Sequence, residues 1–193
     1  MQNNNTIKIF LDTEFTGLHQ QSSLISLAMV AETGEEFYAE ITDYDHSQIS
    51  DWVEDNVMKY LFLNETDISD ARSYKVKGPQ QEVAAAIQKW LEQFPKTLDA
   101  DGKVQPSIQV WADCYAWDWV LFCELFGGAF EIPPAIHYMT MDLATLFNIK
   151  TGKPDTPRFD FVKDEIAAHN WQQHNALYDA RVEKLCYEKL MRE

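Results

Sequence analysis

The chain has little that would anchor it, cross-link it or draw it to a polyanion. No apolar run approaches the roughly 20 residues of a membrane span, so no membrane role is expected. The opening MQNNNT has neither a basic region nor an apolar stretch. It is not expected to be a signal peptide, and residues 1–5 read as a disordered terminus. Cysteine is limited to Cys114, Cys123 and Cys186, with no CxxC spacing. That excludes a disulfide framework and a thiolate zinc site, and a reducing cytoplasm is the expected compartment. Positive charge is scarce: 16 Lys and Arg stand against 31 Asp and Glu, a net charge of −15. Phosphate affinity comes mainly from Lys and Arg, so a broad duplex-binding surface is not expected. Internal repeats are absent, and the only low-complexity tract is the asparagine triplet near the start.

What is present fits one globular domain, residues 1–193, with 46% hydrophobic residues to fill a core. Apolar and β-branched runs at 6–14, 23–31 and 35–41, the last two joined by Thr33-Gly34, predict three strands in an antiparallel meander. Ile49, Trp52, Val53, Val57 and Tyr60 predict a helix over 47–61. Val83, Ile87, Trp90, Leu91 and Phe94 form one face of a helix opening near Pro79. After a polar loop at 95–106, "SIQVWA" reads as a buried strand and 116–126 as an apolar helix. A short strand within 135–141, a small helix from Asp142, an irregular 151–160 and a helix over 175–192 complete the chain. Strands first, then strands alternating with helices, predict an α/β layer with a mixed sheet.

Acids stand where a core is expected. Residues i and i+2 of a strand share a face, so Asp12 and Glu14 project together from the end of the first strand. Two such carboxylates repel unless a cation lies between them, and hard divalent ions take oxygen ligands. A solvated strand end is the plainer alternative. Asp118 lies inside the aromatic helix "AWDWVLF", on its wet face or there for a reason, while Asp113 could cap that helix. His174 precedes the last helix, Asn175 can cap it, and Asp179 falls early in it. Each feature is weak alone; in this order and at these separations they form a specific pattern.

The pattern resembles the DEDD (DnaQ-like) superfamily of 3′–5′ exonucleases, in the branch whose third motif is H-x4-D. "DTEFTGL" is similar to the first motif, "ADCYAWD" to the second and "HNALYDA" to the third. The second motif ends in an aromatic followed by the acid, a register that selects Asp118; Asp113 stands where many relatives have a neutral polar residue. "FYAEITDYDHSQISDWVEDNVMKYL", "WADCYAWDWVLFCELFGG" and "HNALYDARVEKL" are similar to the RNase AS-type bacterial exoribonucleases, from about residue 7 to 190. "MDLATLF" is also similar to the oligoribonucleases.

The resemblance implies an RNase H-like fold with a mixed five-stranded sheet flanked by helices. It implies hydrolysis of single-stranded RNA from its 3′ end, releasing nucleoside 5′-monophosphates, with two divalent cations, Mg²⁺ or Mn²⁺. On this reading Asp12 bridges both ions, Glu14 and Asp179 hold the nucleophile-side ion, Asp118 holds the other, and His174 is the general base. Phe15, Thr16, Gly17 and Leu18 would touch the terminal nucleotide. Trp117 and Trp119 could stack bases, although core positions suit them better. The basic groups Arg72–Lys75–Lys77 and Lys150–Lys153–Arg158–Lys163 could hold a few phosphates. A homodimer is implied as well. The competing readings are a DNA 3′–5′ exonuclease, an oligoribonuclease and a catalytically silent binding module.

Overall fold

The computed structural model describes residues 6–61, 63 and 73–192. The predicted disorder of residues 1–5, and Arg72, lie outside the described residues. The strands β1 (Ile7–Phe15), β2 (Leu24–Ala31) and β3 (Glu36–Ile41) form the expected antiparallel meander. The predicted helix over 47–61 is broken. A 3₁₀ turn at His46–Gln48 precedes helix α1 (Asp51–Asn56), and a second turn covers Met58–Tyr60. The break lies at Ser50, whose hydroxyl caps α1 by accepting from Val53 N–H.

Strand β4 (Ser73–Gly78) then runs parallel to β3, followed by helix α2 (Gln80–Leu91). The 95–106 loop contains a small hairpin, β5 (Thr97–Leu98) with β6 (Val104–Gln105), tied by the Asp99 carboxylate. Strand β7 (Ile108–Ala112) lies parallel to β1 and leads into helix α3 (Ala116–Glu124). The expected strand in 135–141 shrinks to β8 (Met141–Asp142) plus one bridge between Ile108 and Ile136. Asp142 caps helix α4 (Leu143–Thr151), accepting from Thr145 N–H at 2.8 Å. Helix α5 (Arg158–Phe161) and the long α6 (Ala176–Arg192) close the domain.

The sheet is mixed, ordered β4-β3-β2-β1-β7-β8, with six strands where the sequence analysis expects five. The additional strand, β4, reads "SYKVKG", an alternating edge strand easily taken for a basic cluster. Helices cover both faces. Ile9 and Leu11 of β1 join Leu27, Met29 and Phe37 under α2 and α3. Ala28, Val30 and Tyr38 pack on the opposite face against Ala176, Leu177 and Ala180 of α6. All eight residues of β2 are therefore buried, and neither β1 nor β2 shows a clean alternation. Among the described residues no helix is long and apolar enough to cross a membrane.

Ile9 is fully buried at the centre of this sheet. Ile9→Ala is expected to cost about 2–5 kcal/mol of stability, because the cavity cannot collapse between two packed layers. Urea unfolding followed by circular dichroism measures it.

Candidate active site

The C-terminal end of β1 opens into a cleft of about 690 Å³. Side chains alternate along β1, so Asp12 and Glu14 lie on the α6 side and Thr13 on the α3 side. Asp179, in the first turn of α6, completes a group in which one oxygen from each of Asp12, Glu14 and Asp179 lies within 4.8 Å of the others. Asp118 reaches the same place from α3. Its Oδ1 accepts from Thr13 N–H at 3.0 Å and from the Thr13 hydroxyl at 2.7 Å. Both bonds go to one oxygen, which leaves Oδ2 as the oxygen for an ion. Asp179 accepts from Asn175 N–H at 3.1 Å, and Asn175 in turn caps α6 and donates to Tyr60 O.

Charge dominates this cleft. Among the described residues lining it, Asp12, Glu14, Asp113, Asp118, Asp179 and Glu183 are acidic, and the only Lys or Arg is Arg158. Arg158 is already committed: its Nε and Nη2 bond both oxygens of Asp113 at 2.8 Å. Burial, then the neighbouring carboxylates, push Asp12 well above the ordinary carboxylate range. The same causes raise Glu14 to about 9. Burial raises Asp118 to about 6 against the opposing Thr13 hydrogen bonds, and Asp179 to about 7 against its backbone donors. Asp12 Oδ2 is buried with no hydrogen-bond partner among the described residues. A carboxylate oxygen without a partner is expensive inside a protein. Hard divalent cations fit this all-oxygen donor set, and they would offset both the burial and the repulsion that displace these groups.

His174 sits at the mouth, its ring edge-on to Trp52 with centroids 5.1 Å apart. Burial lowers its pKa, which favours the neutral imidazole. Its φ is 64°, and Cys114 has φ 55°; these are the non-glycine residues with positive φ among those described, and both line the cleft. Strained backbone of this kind persists where surrounding structure enforces it.

All nine residues expected from the sequence line this one cleft: Asp12, Glu14, Phe15, Thr16, Gly17, Leu18, Asp118, His174 and Asp179. Their characters differ. Leu18 is 72% exposed at the mouth, free to pack against a ligand. Thr16 is buried, its hydroxyl donating to Gln48 Oε1 and accepting from Ser23 N–H, so it shapes the turn. The two tryptophans divide: Trp117 lines the cleft beside Phe15, whereas Trp119 stacks on Phe122 against the core.

Other expectations change. Asp113 does not cap α3; it is the partner of Arg158. Lys77 neutralises the buried Glu40 at 3.1 Å and donates to Leu63 O, which takes its charge inward. Sequence reasoning missed Trp52 and Glu183 as cleft residues. Trp52 is 56% exposed within an otherwise apolar helical pattern, a mismatch visible only after folding. Glu183 lies one helical turn beyond Asp179, a spacing that could have flagged it.

Comparison with known proteins agrees with the geometry. Residues 7–191 match the family model described as the 3′-5′ exoribonuclease Rv2179c-like domain. The chain is 31% identical over 177 residues to the 3′-5′ exoribonuclease Rv2179c of Mycobacterium tuberculosis (strain H37Rv), covering 91% of this chain and 88% of that protein. The nuclease domain of 3′hExo, a DEDDh family member bound to rAMP, superimposes with a TM-score of 0.61 at 12% identity, covering 100% of this chain and 94% of that one. A full-length 3′-exonuclease gives a TM-score of 0.64 at 11% identity, covering 97% and 82%. At these identities the structural likenesses show a shared fold.

The raised carboxyl groups set a pH dependence. Each holds its proton more tightly folded than unfolded, so folding stability is lost as pH rises above the unfolded value near 4. The metal-free protein should therefore melt at progressively lower temperature as pH rises through about 6, 7 and 9, the displaced values of Asp118, Asp179 and Glu14. Saturating Mn²⁺ should flatten that decline. Thermal melts across pH, with and without the ion, check both.

Proposed function

The chain belongs to the Rv2179c-like 3′–5′ exoribonuclease family, and on that premise we propose the substrate, ions and residue roles of its reaction. The substrate is the 3′ end of single-stranded RNA, released as nucleoside 5′-monophosphates. The observation that carries this is the convergence of Asp12, Glu14 and Asp179 oxygens within 4.8 Å, beside Asp118 and His174 in one cleft. Six acidic side chains and a committed guanidinium leave the cleft no free positive charge to offer a phosphodiester. Two divalent ions, Mg²⁺ or Mn²⁺, would supply that charge, a nucleophile at neutral pH and stabilisation of the leaving oxyanion.

The protein's own groups do the rest. Asp12, Glu14 and Asp179 would hold one ion, and Asp12 with Asp118 the other. His174, neutral at physiological pH, accepts the proton of the attacking water at a ring nitrogen. Trp52, against the edge of His174, limits how far that ring can swing. Leu18 and Trp117 offer apolar surface to the terminal nucleotide, and Phe15, Thr16 and Gly17 form the wall that carries them. Gripping a few phosphates at a single 3′ end suits a chain of net charge −15. The working unit is one exonuclease domain spanning 1–193. It acts in the cytoplasm as a homodimer; Phe130, Tyr138 and Met139 are each exposed and available to a partner copy, and light scattering tests this.

A gel time course on 5′-labelled single-stranded RNA and matched DNA, with Mg²⁺, Mn²⁺ or EDTA, tests the function. A ladder shortening from the RNA 3′ end, lost in EDTA and in Asp12→Ala, is expected. His174→Ala should lower kcat about 10²–10⁴-fold while leaving Mn²⁺ binding intact, as loss of a general base requires. A ladder confined to DNA would move the substrate to a DNA exonuclease. Activity confined to RNAs of a few nucleotides would make the protein an oligoribonuclease. No cleavage of either polymer with ions bound would leave a binding module.

A further inference from the structure

Helix α6 brings two carboxylates to the cleft. Asp179 and Glu183 are one turn apart, so they share a helix face, and both line the cleft. Glu183 is only 3% exposed. Its Oε1 accepts the Asp113 N–H at 3.0 Å. Its Oε2 is buried and has no hydrogen-bond partner among the described residues. Acids away from the Asp12–Glu14–Asp118–Asp179 group have cations: the buried Glu40 has Lys77, and the half-buried Asp113 has Arg158. Four of the five Arg158 N–H groups are committed elsewhere, two to Asp113, one to Thr156 O and one to Pro154 O. The groups that act electrostatically on Glu183 are Asp113, Asp118 and Asp179, and Glu183 acts in turn on Asp12. A buried acid among acids, half satisfied, has no role in packing that an apolar residue would not fill better.

We propose that Glu183 is a fifth carboxylate of the divalent-ion site, a positioning residue whose free Oε2 accepts hydrogen from the ions' hydration water. This rests on the divalent-ion reading above. The Asp113 N–H holds Oε1, so that one oxygen is anchored and the other stays available. The Arg158 guanidinium, stacked 4.0 Å from the Phe147 ring centre, clamps Asp113 and keeps that N–H in place. The clamp gives Asp113 a purpose that the motif around Asp118 does not require.

Mn²⁺ uptake by the full metal-free chain, measured by calorimetry and by electron paramagnetic resonance of the free ion, tests this. Glu183→Gln keeps the size and an acceptor for Asp113 N–H but loses the second carboxylate oxygen. It should fold as the wild type by circular dichroism and bind Mn²⁺ about 10–100-fold more weakly, the usual effect of removing an outer-shell partner. Glu165→Gln, at the surface pair with Lys189, should bind as the wild type. Unchanged Mn²⁺ affinity in Glu183→Gln would overturn the proposal. Should that variant fail to fold, Glu183→Asp carries the test: it retains the charge but draws the oxygen back, so weaker uptake supports the role and unchanged uptake overturns it. Failure of the wild type to take up Mn²⁺ would instead remove the divalent-ion reading itself.

Discussion

Mutual repulsion among buried carboxylates is the constraint around which this domain is organised. Asp12, Glu14, Asp118, Asp179 and Glu183 converge on one cleft, and the guanidinium beside them is spent on Asp113. Burial and proximity raise each of the five convergent acids. Such a cluster lowers folding stability unless a cation joins it, so the scaffold must hold it by other means. The means are a sheet covered on both faces and a continuous core running from Ile9 and Leu11 to α2 and α3.

The scaffold delivers each acid by a different device. The pleat of β1 points Asp12 and Glu14 to one side and Thr13 to the other. Thr13 can then grip Asp118 from α3 with both its backbone and its hydroxyl, drawing that helix to the end of the strand. On the opposite face, Asn175 caps α6, ties it to Tyr60 O and donates to Asp179. His174 is held at φ 64° just before that cap, where the strained backbone sets the ring over the cleft mouth. Hydrogen bonds between elements far apart in sequence thus bring three stretches of the chain into one centre.

Much of the fold was legible because its signals are local. The meander shows as three apolar runs with a turn between the second and third, α2 shows as helical periodicity, and helices from Asp142 and over 175–192 are found where expected. The misreadings have physical causes. Val53 and Val57 continue a helical period across 47–61, but the Ser50 hydroxyl caps a shorter helix and the chain turns on either side of it. Strand β4 alternates Tyr74 and Val76 with Lys75 and Lys77, and an edge strand of six residues carries too few apolar positions to declare itself. Trp117 and Trp119 look alike in sequence, yet two residues on a helix differ by about 200° in direction, so one faces the cleft and the other the core.

The sequence by itself determined which residues to look for: the pair Asp12 and Glu14, the acid in "AWDW" and His174 before Asp179 stand in short local motifs, and their resemblance to an exonuclease pattern is readable without the fold. It also set the deficit of positive charge, 16 Lys and Arg against 31 Asp and Glu. Only the tertiary structure decided that Asp113 serves Arg158, that Lys77 turns inward to Glu40, and that Glu183 joins the acids. Those pairings join residues 37 to 70 positions apart. Which charges meet across such distances depends on how helices pack on the sheet, and no local period records it.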